Sequence, residues 1–323
     1  MKNFVLLPAR SLEEAARAAA RPHTELKAGG VDLIDRMKEG IDAPERVVSI
    51  AHLPGLDQIQ MGSPAKIGAL ATLASIAHHA DIQKTYPALA AAADGAATPQ
   101  IRNMATLGGN ICQRPRCWYY RLSEFDCRKN GGKDCFAKDG ENRFHAIFDT
   151  DLLCVCVHPS ATAVVLTAYR ADFEIVSPAG KKKISVDELF LRPTKDATKE
   201  NRLAPGEIIQ TVLLPAPGAG ARSAYRKLKE KESFDWPLVE ACVAADLDGG
   251  RIRESRVVLG HVASVPWRSK EAEAVLAGQS PSPELFRKAA DAAVAGAKPL
   301  AQNGFKVRLA RVTLERTLRD AFG

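Results

Sequence analysis

The seven cysteines of this 323-residue chain limit its fold more than any other feature, because six of them fall between positions 112 and 156. The opening MKNFVLLPAR is too short for the apolar core of a secretion signal. A disulfide framework fits a long chain without such a signal poorly, since these frameworks are typical of small secreted proteins. Clustered thiols in a protein of this kind more often bind metal. We therefore expect a metal-binding segment here.

Four of the clustered cysteines are the candidate metal ligands. They are separated by nine, seven and eighteen residues, and the set is Cys117, Cys127, Cys135 and Cys154. The set contains no CxxC pair, which a zinc ribbon would show. Four thiolates on one long loop suit an iron–sulfur cluster, because soft sulfur ligands favour such centres. The spacing alone leaves zinc and buried or redox-active thiols open as alternatives.

Composition and charge narrow the class of protein. The content of 46% hydrophobic and 26% charged residues is typical of a globular protein, and the length predicts two or three domains. No stretch approaches 18 apolar residues, so no membrane span is expected. The expected location is cytoplasmic, or periplasmic if a signal-bearing partner exports the chain. The net charge of +7 suggests nucleic acid, but the basic residues are scattered and aromatics make up only 6%, so no nucleic-acid partner is expected.

The order of patterns along the chain predicts three units. Residues 1–60 form a small α/β unit, and residues 61–220 form a larger unit that contains the cysteine-rich segment at 112–156. Residues 221–323 follow a Pro/Gly-rich linker and form a separate α+β domain of strands and then helices. The last segment predicts a helix whose apolar face holds Val307, Ala310, Leu314 and Leu318. Its basic residues indicate a solvated face, or a surface for an acidic partner subunit.

Two loops with paired glycines are candidates for binding a dinucleotide. The first, AGG at 28–30, joins a strand to a helix, where bare N–H groups and the helix dipole favour a phosphate. The second is ATLGGN, in which Thr106 and Asn110 flank the glycines. Each loop alone is more simply a tight turn, and neither is the GxGxxG fingerprint. Together in an α/β frame, the two loops predict a two-sided cradle.

The combined pattern AGG…RNxATxGGN resembles the FAD-binding medium subunit of the xanthine dehydrogenase and molybdenum hydroxylase family. The segments GEII (206–209), YRKLKEKESFDWPLV (225–239) and VVLGHVASVPWR (257–268) match that family as well, so the resemblance covers essentially the whole chain. It implies an α+β protein with a two-part FAD-binding domain of the PCMH or vanillyl-alcohol-oxidase type. A C-terminal α+β domain like that of the CO dehydrogenase flavoprotein would follow.

Carried over residue by residue, the resemblance assigns most of the FAD contacts to the first loop. The loop residues are Glu25, Leu26, Lys27, Ala28, Gly29, Gly30, Val31, Asp32 and Leu33. The second wall would be formed by Thr106, Gly109 and Asn110. Ile209 would pack on the flavin, and Lys227 would lie near the isoalloxazine ring. Val31 and Ala161 depart from the family, which commonly has threonine and aspartate at these two positions.

The cysteine-rich insert resembles a subset of that family, the flavin subunits of periplasmic aldehyde oxidoreductase and of 4-hydroxybenzoyl-CoA reductase. Their insert holds a [4Fe-4S] cluster. Cys154 keeps the family spacing to His158 and is preferred as the fourth ligand, although Cys156 competes with it. Cys112 is expected in the flavin pocket or core and Cys242 in the core, since free cysteine behaves as a small hydrophobe.

The function that follows from the resemblance is electron transfer inside a heterotrimeric oxidoreductase that oxidises aldehydes. This flavoprotein subunit would carry FAD and [4Fe-4S] and no catalytic residue. Molybdopterin would lie on a large subunit, [2Fe-2S] clusters on a small subunit, and an external, ferredoxin-like acceptor would take the electrons. The alternatives are a medium subunit of a 4-hydroxybenzoyl-CoA reductase-like or xanthine dehydrogenase-like enzyme. A zinc-stabilised binding module without flavin is a further alternative, which Val31 and Ala161 favour.

Overall fold

The computed structural model describes residues 1–323, and its N-terminal part is a small parallel sheet. The strands are β1 (Val5–Pro8), β2 (Thr24–Lys27) and β3 (Arg46–Ser49), in the order β1-β3-β2. Parallel neighbours need crossover connections, which helices α1 (Leu12–Ala19) and α2 (Val31–Lys38) supply. The turn from β2 into α2 therefore lies at the carboxyl end of a strand, where ligands commonly bind.

A five-stranded antiparallel sheet forms the centre of the molecule. Its order is β4-β5-β8-β6-β7, and its strands are β4 (Ile59–Gln60), β5 (Ala65–Gly68), β6 (Asp172–Ser177), β7 (Gly180–Ser185) and β8 (Ile208–Leu214). Helices connect the strands: α3 (Leu73–His78), α4 (Ala80–Thr85), α5 (Pro87–Asp94), α6 (Pro99–Met104), α7 (Leu107–Ile111), α8 (Trp118–Arg121), α9 (Ala161–Ala168) and α10 (Val186–Leu189). All eight residues of α9 are buried, so this helix is the centre of the packing.

The C-terminal part is a four-stranded antiparallel sheet covered by three helices. Its order is β12-β11-β10-β9, and its strands are β9 (Ala221–Lys229), β10 (Pro237–Asp248), β11 (Arg251–Gly260) and β12 (Trp267–Arg268). The helices are α11 (Lys270–Leu276), α12 (Pro283–Val294) and α13 (Phe305–Phe322). The predicted C-terminal helix is confirmed, and Ala310, Leu314 and Leu318 on its apolar face are fully buried. None of the helices combines the length and the apolar character that crossing a membrane would need.

The cysteine-rich segment at 112–156 is mostly irregular, with α8 and a 3₁₀ turn (Arg128–Asn130) as its helical pieces. Contacts with the C-terminal domain hold it in place. The Lys306 ammonium group, in a residue only 1% exposed, donates hydrogen bonds to the carbonyls of His145 at 2.9 Å and His261 at 2.6 Å. The Asn303 amide donates to the carbonyls of His145 and Ala146. The first turn of α13 therefore fixes the end of the segment.

Lys306→Met is expected to lower the free energy of unfolding by about 2 kcal/mol or more. Methionine keeps the apolar stem but leaves buried carbonyl oxygens unpaired, and each buried polar group without a partner costs about 1–3 kcal/mol. Urea unfolding followed by circular dichroism measures the change. Lys298→Met is the matched control, because Lys298 is exposed and its side chain makes no hydrogen bond. Equal stability of the two variants would contradict the role given to Lys306.

Candidate functional site

A cavity of about 730 Å³ lies where the three sheets meet. Its walls come from the first loop around Gly29, from the second loop around Thr106, and from Lys227 and Glu240 on the C-terminal sheet. Nineteen of its 39 lining residues are hydrophobic, and the polar groups are concentrated in the loops. Sites of about 300–1,000 Å³ with this mixture typically hold small ligands or cofactors.

The structure brings almost all of the predicted cofactor-binding residues to this cavity. Those that line it are Glu25, Leu26, Ala28, Gly29, Gly30, Val31, Asp32, Leu33, Thr106, Gly109, Asn110, Ile209 and Lys227. Lys27 does not line it, because its ammonium group turns back towards the carbonyl of Ala28 at 3.4 Å. Cys112 is also in the wall, in agreement with its expected place, and Cys242 is fully buried in the core.

The two glycine loops touch each other through their backbones. A Cβ atom on Gly29 would lie 1.8 Å from the carbonyl oxygen of Met104, which is the residue just before the second loop. Gly30, the residue immediately before α2, has a φ of 79°, a conformation that favours glycine. The Asn110 side-chain oxygen accepts hydrogen bonds from the hydroxyls of Ser160 and Thr162, both at 2.7 Å. These contacts fix the two loops so that backbone without bulky side chains faces the cavity from both sides. Such an arrangement suits a long, phosphate-containing cofactor.

The two departures from the family pattern, Val31 and Ala161, both lie in the cavity wall. Val31 is the first residue of α2, and its side chain is 39% exposed. Neither side chain supplies a hydroxyl or a carboxylate to the wall. A cavity of cofactor size is nevertheless present at this place.

Asp32 joins the first loop to the cysteine-rich segment through arginines. Its carboxylate accepts hydrogen bonds from Arg121 at 2.9 Å, from the backbone amide of Arg114 at 3.0 Å, and from the side chain of Arg116. Arg116 also lies over the ring of Trp236, 5.0 Å from its centroid. Arg116 therefore places a guanidinium group in the cavity wall beside the first loop, where it could pair with a phosphate.

Glu240 is a fully buried carboxylate in the wall that the C-terminal domain contributes. The Tyr225 hydroxyl donates to it at 2.6 Å, and His261 Nδ1 lies 3.1 Å from its other oxygen. Lys227 is its neighbour across the two strands, and burial lowers the pKa of that lysine. The sequence interpretation missed Glu240, Arg116 and Trp236, although Trp236 belongs to the segment that carried the family resemblance.

A second, small cavity lies inside the cysteine-rich segment. All four predicted ligands line it, together with Cys156, and the aromatic Tyr119 and Tyr120 cover it. Burial raises the pKa of Cys117 to about 12. A hydrogen bond with Cys154, together with burial, raises the pKa of Cys135. These thiols are protonated near neutral pH, so a metal would bind by displacing their protons.

The cysteines are donors of the kind that an iron–sulfur cluster needs. The space between them in the structure, however, is too small for a cluster. No group of three or more His, Cys, Asp or Glu side chains is arranged to hold one metal ion. The enclosed volume is about 10 Å³, about the space of one water molecule, so the loops must separate to admit a cluster. His145 Nε2 lies 3.2 Å from the Cys117 sulfur, and burial lowers the pKa of this histidine to about 4. His145 is thus buried against a candidate ligand and neutral.

Comparison with protein families assigns nearly the whole chain. Residues 2–217 match the model described as the FAD binding domain in molybdopterin dehydrogenase. Residues 223–321 match the model described as the CO dehydrogenase flavoprotein C-terminal domain. The boundary between the two matches coincides with the Pro/Gly-rich linker before β9.

Individual relatives match over most of the chain. The chain is 35% identical to the aldehyde oxidoreductase FAD-binding subunit PaoB of Escherichia coli, over 99% of each chain. It is 27% identical to the carbon monoxide dehydrogenase medium chain of Hydrogenophaga pseudoflava, over 92% of this chain and 89% of that one. The solved structure of carbon monoxide dehydrogenase from H. pseudoflava, lacking the Mo-pyranopterin moiety, matches with a TM-score of 0.78 at 26% identity. That match covers 99% of this chain and 98% of the other.

Proposed function

This chain belongs to the family of FAD-binding medium subunits of xanthine dehydrogenase and CO dehydrogenase, and we propose that it passes electrons between FAD and a [4Fe-4S] cluster in an aldehyde-oxidising enzyme. One observation carries the proposal. Arg116 lines the large cavity, and Cys117, the next residue, lines the cysteine cavity. Two sites one residue apart are close enough for electrons to pass between the groups they hold.

In this proposal the large cavity holds FAD. The amides of Gly29 and Gly30 at the start of α2, with Arg116 beside them, bind the pyrophosphate. Ile209 and the half-buried Lys227 would contact the flavin end of the cofactor. FAD, when bound, supplies the exchange of electrons one or two at a time.

The cysteine cavity holds the cluster through Cys117, Cys127, Cys135 and Cys154. Tyr119 and Tyr120 exclude water from the thiols, and water exclusion is one of the factors that set the potential of such centres. The cluster, when bound, supplies the transfer of single electrons. Cys156 lies in the same cavity and remains the alternative fourth ligand.

The partners are proposed from the family, whose members are medium subunits of larger enzymes. We propose that the substrate reacts at a molybdenum cofactor on a large subunit and that a small subunit carries [2Fe-2S] clusters. The aldehyde as substrate rests on the similarity of this chain to the aldehyde oxidoreductase FAD-binding subunit, at 35% identity. We further propose a ferredoxin-like acceptor, a cytoplasmic or partner-exported location, and domain boundaries near residues 60 and 220.

The isolated chain is expected to show flavin absorbance with a broad iron–sulfur contribution and to be bleached by dithionite at both centres, but not to oxidise aldehydes. Co-expression with a large molybdenum subunit and a small [2Fe-2S] subunit is expected to restore oxidation and to give a 1:1:1 complex by size-exclusion chromatography. Steady-state aldehyde oxidation by the chain alone would refute the electron-transfer assignment. A colourless chain after reconstitution with FAD, iron and sulfide would favour the binding module instead.

A further inference from the structure

We propose that Lys129 raises the reduction potential of the cluster in the cysteine cavity and that Glu200 lowers it. The inference rests on the proposed function, because it assumes that the cavity holds an iron–sulfur cluster. Lys129 acts by its charge and not as a ligand, since an ammonium group has no lone pair to donate.

Lys129 is the side chain with a permanent charge among those that line the cysteine cavity. It lies two residues after Cys127, in the short turn at 128–130, and its side chain is only 3% exposed. A lysine is rarely buried to this extent unless it is paired. The partner here is Glu200, whose carboxylate accepts a hydrogen bond from the ammonium group at 2.7 Å.

Glu200 is shared with a second cation. Arg114 Nε lies 2.9 Å from the other oxygen of the carboxylate, and the Glu200 side chain is 6% exposed. The three groups together carry one net positive charge. Because Lys129 and Glu200 are buried and Arg114 is only 23% exposed, water and salt screen these charges less than they screen exposed charges. The exposed Lys133, between Cys127 and Cys135, lacks this protection.

A net positive charge at this position favours the reduced cluster. Reduction adds one electron, and therefore one unit of negative charge, without making or breaking a bond in the protein. The electron comes from the FAD of this chain, or from dithionite in a titration. The buried cation stabilises the added charge by Coulomb attraction, and the carboxylate has the opposite effect. Lys129 and Glu200 therefore act on the potential with opposite signs.

The test is an EPR-monitored redox titration of the cluster in the full chain, with iron and sulfide content measured for each variant. Lys129→Met is expected to lower the one-electron potential by about 59 mV, equivalent to a tenfold change in the reduction equilibrium. Glu200→Gln is expected to raise it. Lys129→Arg keeps the charge and should stay near the wild-type potential. Lys133→Met removes the same charge from the surface of the same segment and serves as the matched control.

The outcomes separate this inference from the proposed function. A wild-type chain that takes up no iron after reconstitution overturns both. Full iron content with unchanged potentials in Lys129→Met and Glu200→Gln, or with shifts of the same sign, overturns only the electrostatic role. If Lys129→Met loses iron, the potential of Glu200→Gln is compared with that of the wild type instead. An unchanged or lower potential in Glu200→Gln then overturns the electrostatic role of the Lys129–Glu200 pair.

Discussion

The Gly29→Ala variant is expected to fold normally and to purify with little or no FAD. The added Cβ would lie 1.8 Å from the carbonyl oxygen of Met104, far inside any allowed contact, and that oxygen belongs to the backbone. The first loop must then move away from the second, and the amides of the cradle lose their positions. A loss of about 1.4 kcal/mol in binding free energy already weakens FAD affinity tenfold, and we expect at least that.

The ratio of FAD to protein and the dissociation constant for added FAD measure this effect. Gly296→Ala is the matched control, because a Cβ there meets nothing within 4 Å and the backbone has no positive φ. Its FAD content and its circular dichroism spectrum should equal those of the wild type. Full occupancy and wild-type affinity in Gly29→Ala would show that the first loop is not the phosphate site.

The structure gives the two glycines of the first loop different reasons to be glycine, since Gly30 has a φ of 79° and Gly29 lies against backbone. The sequence drew attention to both glycines, because paired glycines indicate a close approach of backbone to a ligand. At Gly30 a Cβ would meet the side-chain ends of Ile34 at 2.9 Å and Lys27 at 3.0 Å, which are flexible. At Gly29 the obstacle is backbone from another part of the chain. The paired glycines in the sequence predict a loop with exposed backbone, but they do not show which other part of the chain packs against it.

The family and the fold could be predicted from local motifs. Recognition of the FAD-binding medium subunit from the two glycine loops is confirmed by the family matches, and so is the two-part architecture with its C-terminal flavoprotein domain. These motifs are short and mostly backbone, so their form survives sequence change. The C-terminal helix was predictable for a similar reason, since its apolar spacing is local.

The charged groups of the two sites could not be predicted, because they pair across long stretches of sequence. Lys129 and Glu200 are 71 residues apart, and Arg121 and Asp32 are 89 residues apart. Each of these residues alone is indistinguishable from a solvated surface charge. Only the packing of the cysteine-rich segment against α2 and against the loop before β8 makes them buried partners. Patterns of spacing within one element carry no information about such pairs.

Each of the four predicted cysteine ligands is expected to be essential for iron. Serine has nearly the same size as cysteine, but its oxygen is a harder and more basic donor that iron–sulfur centres rarely accept. Cys117→Ser, Cys127→Ser, Cys135→Ser and Cys154→Ser should therefore each lose most of the bound iron and sulfide. The flavin should be retained, because none of the four lines the large cavity. Iron and acid-labile sulfide per flavin are the quantities to measure.

Two further cysteines provide internal controls for that series. Cys112 lines the flavin cavity and Cys242 is fully buried in the core, so Cys112→Ser and Cys242→Ser should keep their iron. Cys156 decides the one open assignment, since it lines the same cavity as Cys154 and lies two residues away. Iron retained in Cys154→Ser but lost in Cys156→Ser would transfer the fourth position to Cys156. Iron retained in all four ligand variants would show that the iron is bound elsewhere and that the cysteine cavity holds no cluster.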